Sequence, residues 1–176
     1  MLPLALILAL ATAETPTDSA SAAIARGATA EAAGDGRGML AAARTLEALG
    51  AAPRSGEADL AAYWRAQALA RGVKDKLPPV RGRALGPAYS RGSLSPGATL
   101  STEQVFLAGQ KAEVALVPQP GRNLAITVVL KERSICARAS AGPRIKCDWI
   151  PTFTDRVQIR ITNSGRVSAL YYLVSN

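Results

Sequence analysis

Apolar residues change their spacing once along this chain, near Gly92. Beyond that point they recur at every second position, the period of a half-buried strand. The clearest run covers 156–162, where Val157, Ile159 and Ile161 alternate with Arg156, Gln158, Arg160 and Thr162. Leu124, Ile126, Val128 and Leu130 alternate in the same way. The pattern predicts strands over 102–107, 112–117, 124–130, 135–138, 145–149, 156–162 and 168–174. Turn residues separate them: Gly109, the run Pro118-Gln119-Pro120-Gly121, Gly142-Pro143 and Asn163-Ser164-Gly165. Short strands in close succession, with no helical period between them, predict an antiparallel sandwich or jelly roll.

Before Gly92 the period is helical. Met39, Ala42, Leu46 and Leu49 fall on one face, and Gly50 supplies a stop. A second helix follows Ser55, the expected N-cap, with Glu57 and Asp59 in its first turn. It runs through Leu60, Tyr63, Trp64 and Ala68 to Arg71 and closes at Gly72. The short connection makes these an antiparallel hairpin, with Trp64 as a core residue. Residues 14–38 are Ala, Ser, Thr and Gly with Ile24 as the one large apolar side chain, and predict a flexible leader. Residues 73–92 read as a basic Pro/Gly linker. The expected class is therefore α+β: a helical hairpin over 39–72, then an antiparallel, jelly-roll-like β-sandwich over 93–176.

The first thirteen residues, MLPLALILALATA, hold an unbroken apolar run from Leu2 to Leu10 and small residues at Ala11 and Ala13. That run is too short for a permanent membrane span and suits the apolar core of a secretory signal cleaved after Ala13. No Lys or Arg precedes it. The expectation is a periplasmic or secreted protein that does not span the membrane once cleaved.

Charge sharpens this picture. The net charge is +8, and residues 1–70 carry five Arg against seven acids, so the whole excess lies beyond residue 70. Lys74, Lys76, Arg81, Arg83 and Arg91 form the densest basic segment, a candidate contact for polyanions. At a cell envelope the expected partners are an envelope protein, an anionic glycan or a lipid headgroup. Nucleic acid is not expected, because no aromatic-plus-basic binding signature is present.

Cys136 and Cys147 are the only cysteines, with a Gly-Pro turn between them. An oxidising compartment and an even count predict a disulfide, on neighbouring strands by this reading. The chain has no His, which removes Ser-His and Cys-His catalysis and His-based zinc sites. No nucleophile elbow, phosphate loop or dinucleotide fingerprint occurs, and no cofactor is expected. A carboxylate-dependent hydrolase would need two of Glu103, Glu113, Glu132, Asp148 and Asp155 to meet in space, and nothing in their spacing selects a pair. The protein is expected to be no enzyme. Trp149, Tyr171 and Tyr172 are a candidate ligand platform, as in a carbohydrate-binding module. Adjacent strand tyrosines face opposite ways, so the plainer reading puts one in the sandwich and one under the helices.

Three stretches, about half of the chain, resemble the bacterial pre-peptidase C-terminal family. They are the opening Gly92-Ser93-Leu94-Ser95-Pro96-Gly97, the strand–Gly turn–strand of 102–116, and the final 157–165 leading into Tyr171-Tyr172-Leu173-Val174. The family's Asp-rich loops have no counterpart here. The resemblance implies a small sandwich acting as a non-catalytic accessory module.

Overall fold

The computed structural model describes residues 14–76 and 85–176. The signal expected over 1–13, and Arg81 and Arg83, lie outside them. Three helices, α1 (Pro16–Ala32), α2 (Gly36–Leu49) and α3 (Leu60–Ala70), cover one face of a two-sheet sandwich. The strands are β1 (Ala52–Pro53), β2 (Ala88–Leu94), β3 (Thr99–Phe106), β4 (Ala112–Pro118), β5 (Leu124–Leu130), β6 (Arg133–Ala139), β7 (Ile145–Trp149), β8 (Asp155–Asn163) and β9 (Ala169–Ser175).

Strand pairing is nested: β2 pairs with β9, β3 with β8, β4 with β7 and β5 with β6, all antiparallel. Folding that one long hairpin over itself gives sheet orders β1-β2-β9-β4-β7 and β3-β8-β5-β6. This is a jelly roll. All seven expected strands are present, and β2 joins them, beginning in the segment 73–92 read as linker and ending at Leu94.

Alternation explains the three-layer packing. Val114, Leu116, Tyr171 and Leu173 point from β4 and β9 into the core between the sheets, against Ile126, Ile159 and Ile161. The residues between them, Ala115, Val117, Tyr172 and Val174, point the other way into a second core with Ile24, Met39, Leu46 and Trp64. The two middle strands are thus buried on both faces.

The segment 14–38, read as a flexible leader, is instead largely the helix α1. Thr15 caps it by accepting from the Asp18 amide at 3.2 Å, and Pro16 opens its first turn. Composition misled because its buried stripe is small: Ala20, Ala23, Ile24, Gly27 and Ala30. Small side chains let α1 lie close to its neighbours, so one isoleucine suffices to anchor it. At Gly27 the indole of Trp64 fills the space that a Cβ would occupy, only 2.3 Å from two of its ring carbons. The α3 cap is Asp59, whose carboxylate accepts from the Ala61 and Ala62 amides, and not Ser55. Gly50, in the left-handed region at φ 64°, ends α2 as its position in the sequence requires.

Ion pairs fasten these layers. Arg65 of α3 binds Glu47 of α2 and Asp75, and Asp75 also binds Arg44, so the chain leaving α3 is tied back to α2. Arg144, in the β6–β7 turn, donates to the Asp18 carboxylate at 2.7 Å and its carbonyl at 2.9 Å, and Lys146 reaches the same carboxylate at 3.2 Å. The disulfide Cys136–Cys147 is formed, with a Cα separation of 6.0 Å. Its strands, β6 and β7, belong to different sheets and do not pair with each other, so the bond staples the two sheets together.

Candidate functional site

A groove follows α1 where it crosses the sheet. One wall is Ala25, Ala28 and Thr29 of α1; the other is the β4–β5 connection from Pro118 to Asn123. Toward the β6–β7 turn this space measures about 390 Å³ and ends at Ser140 and Pro143. A neighbouring space of about 290 Å³ shares Ala28, Pro118, Gln119 and Pro120 and adds Glu31, Arg91, Leu170 and Tyr172. Arg91 and Tyr172 in turn line a smaller cleft of about 100 Å³ with Glu57, Asp59, Tyr63 and Tyr89. Shared walls set these three spaces side by side, from proline-lined rims to a cleft with three tyrosines.

Each tyrosine is held in place. Tyr63 is 42% exposed, and its hydroxyl donates to the Glu31 carboxylate at 2.8 Å. The other Glu31 oxygen accepts from the Trp64 indole at 3.0 Å, so one α1 carboxylate orients two α3 rings. The Tyr63–Glu31 hydrogen bond, with some desolvation, raises the Tyr63 phenol above its ordinary range. Tyr89 is buried, and its oxygen accepts from the Leu60 amide at 2.9 Å. Burial pushes its pKa up to about 12. Tyr172 presents its ring to Arg91, whose guanidinium carbon lies 5.9 Å from the ring centroid. Burial raises its phenol as well.

The residues expected from sequence fall in different places. Tyr171 is 4% exposed in the inter-sheet core and Tyr172 is 8% exposed under the helices, as the plainer reading of adjacent strand tyrosines has it. Trp149 packs edge-on against Phe106, with centroids 4.8 Å apart, at the border of the inter-sheet core. Trp149, Tyr171 and Tyr172 therefore form no common exposed platform. The largely exposed aromatic is Phe153, 75% exposed near Ile150 in the β7–β8 connection. Lys74 and Lys76 are exposed on either side of Asp75. Arg91 is exposed too, but stands in the tyrosine cleft.

Most of the β-half carboxylates are engaged with cations. Glu113 is buried with Lys111 at 2.9 Å, and Asp148, opposite it in the sheet, shares that lysine at 3.7 Å. Asp155 pairs with Lys131 and Glu103 with Arg156, each at 3.2 Å. Among the described residues no group of three or more His, Cys, Asp or Glu is placed to hold a metal ion. No helix among them is long and apolar enough to cross a membrane.

Sequence reasoning missed the groove because its walls come from α1, read as leader, and from loops that carry no motif. The tyrosines were visible, but their convergence depends on how the helices dock.

Solved structures resemble this fold. The chain is similar to a pre-peptidase C-terminal domain. That domain, from a Bacillus anthracis collagenase, is 11% identical, and the match covers 50% of this chain and 87% of the other at a TM-score of 0.45. The periplasmic g-type lysozyme inhibitor PliG of Aeromonas hydrophila matches at 14% identity over 51% of this chain and 84% of its own, TM-score 0.39. A CBM4 structure matches at 11% identity over 50% and 71%, TM-score 0.35. No protein-family model and no curated protein matches the sequence.

Proposed function

We propose that this protein is a non-enzymatic binding module of the bacterial cell envelope, periplasmic or secreted, which holds a segment of a partner polypeptide in the groove beside α1. The groove carries the reading. Helix α1 forms one wall and the Pro118–Asn123 connection the other, and the groove's lining mixes apolar side chains with Thr29, Gln119 and Asn123, the character of a recognition site. Its tyrosines and Arg91 and Arg122 are residue types that protein contacts favour. Export is supported by the apolar run at Leu2–Leu10 and by the inter-sheet disulfide, a bond that persists in oxidising compartments.

Two measurements test this. Intact mass of the protein isolated from an envelope fraction should lack residues 1–13 and two thiol hydrogens; a retained Met1 with both thiols free would overturn the export. A photo-crosslinking residue placed at Ala28 or Gln119 should give a discrete protein adduct in that fraction, while the same group at Ser101, on the outer face of the second sheet, gives none. Adducts of equal yield at all three positions, or at none, would overturn the groove.

A further inference from the structure

The tyrosine cleft is acidic on a protein that is basic. Glu31, Glu57 and Asp59 stand around Tyr63, Tyr89 and Tyr172; Arg91 is the one cation lining the cleft, with Arg71 also acting on Tyr63 from nearby, so the acids outnumber the cations although the chain as a whole carries +8. Among the described residues none of these three carboxylates is in an ion pair, whereas Asp18, Asp75 and Glu113 each are. Glu57 accepts the backbone amide of Arg91 at 3.4 Å, which leaves its charge unmatched by the guanidinium.

We infer that the cleft receives a cationic side chain, the guanidinium of arginine or the ammonium of lysine, from the polypeptide held in the groove. This rests on the groove reading and names what the partner brings to its closed end. Tyrosine faces attract cations through the ring quadrupole, and carboxylates beside them supply the opposite charge. Arg91 already sets a guanidinium near the Tyr172 face, 5.9 Å from the ring centroid, a contact of the kind an incoming cation would make with Tyr63. A volume of about 100 Å³ is of the size of such a head group. Because Arg91 and Tyr172 also wall the 290 Å³ section, a ligand seated by its cation has a path for the rest of its chain along α1. A protein of this net charge attracts anions without specificity, so saturable binding of a cation requires a built site.

The test uses the exported protein with labelled tyrosine rings, observed by NMR while N-acetyl-arginine amide, N-acetyl-lysine amide, choline or inorganic phosphate is added. Either amino-acid amide should shift the Tyr63 and Tyr172 resonances saturably. Glu57→Gln and Tyr63→Ala should each weaken that binding at least fivefold. Arg91→Ala, which frees the Tyr172 face and removes a competing positive charge, should tighten it. Loss of a folded spectrum in Tyr63→Ala leaves the decision to the isosteric Glu57→Gln. The inference falls if neither amide binds saturably, if Glu57→Gln binds as well as the parent, or if choline or phosphate alone moves the rings. Failure of the amides with intact crosslinking at Ala28 would sink the cleft and leave the groove; failure of crosslinking with intact amide binding would do the reverse.

Discussion

Replacing Gly27 with alanine is a change of one methyl group, and it tests how the helices are held. In an isolated helix the substitution would stabilise by about 1 kcal/mol, because glycine is the poorer helix former. Here the new Cβ would sit 2.3 Å from two carbons of the Trp64 ring and 2.7 Å from a third. Carbon atoms rest at roughly 3.5–4.0 Å, so α1 and the indole must separate by more than 1 Å. Trp64 is fully buried and tethered through its indole nitrogen to Glu31, so it has little room to retreat. Overpacking of this kind costs about 1–3 kcal/mol, and an overlap this deep belongs at the upper end. The net expectation is a loss of about 2 kcal/mol, read as a lower midpoint in urea unfolding with an unchanged slope. In a Trp64→Leu background the same substitution should be neutral or stabilising, because the clash has gone. A Gly27→Ala variant as stable as the parent would refute the reasoning, since the close approach of α1 and α3 would then carry no energetic weight.

Three further outcomes are expected. Cys136→Ser with Cys147→Ser should lower stability by about 2–3 kcal/mol through the freed short loop, and reduction of the parent should do the same; equal midpoints with and without reductant would contradict this. Asp18→Ala removes the carboxylate that Arg144 and Lys146 share, leaving Arg144 only the Asp18 carbonyl and the Ser21 hydroxyl, and should cost about 1–3 kcal/mol, with the helix signal lost early in a thermal scan if α1 detaches first. Tyr89 titrates near pH 12 in the fold and near 10 in the unfolded chain, so its contribution is complete below pH 10 and is lost between 10 and 12. That contribution is about 2–3 kcal/mol, and Tyr89→Phe should flatten the fall in stability over this interval.

The sandwich was legible because alternation is a property of the chain itself: Val157, Ile159 and Ile161 declare a buried face wherever their strand goes. Strand β2 was not, since the run Ala88–Leu94 is interrupted by Arg91 and Gly92, and its pairing with β9 is made across the length of the domain. Helix α1 was hidden by composition, although Thr15, Pro16 and Asp18 spell a helix start that capping chemistry can recognise. The cysteine bond was foreseen but not its span, because sequence separation does not reveal that a turn carries the chain from one sheet to the other. The site was the least readable part. Glu31 and Tyr63 are far apart in sequence, and only the crossing of α1 and α3 brings carboxylate and phenol together.

The double-sided burial of β4 and β9 has a practical consequence for anyone cutting the gene. A fragment that begins at residue 88 would retain every long strand and yet present Tyr89, Ala115, Val117, Tyr172 and Val174 to water as a bare greasy plate. Such a piece should clump on expression, and supplying residues 14–76 as a separate peptide should return it to solution.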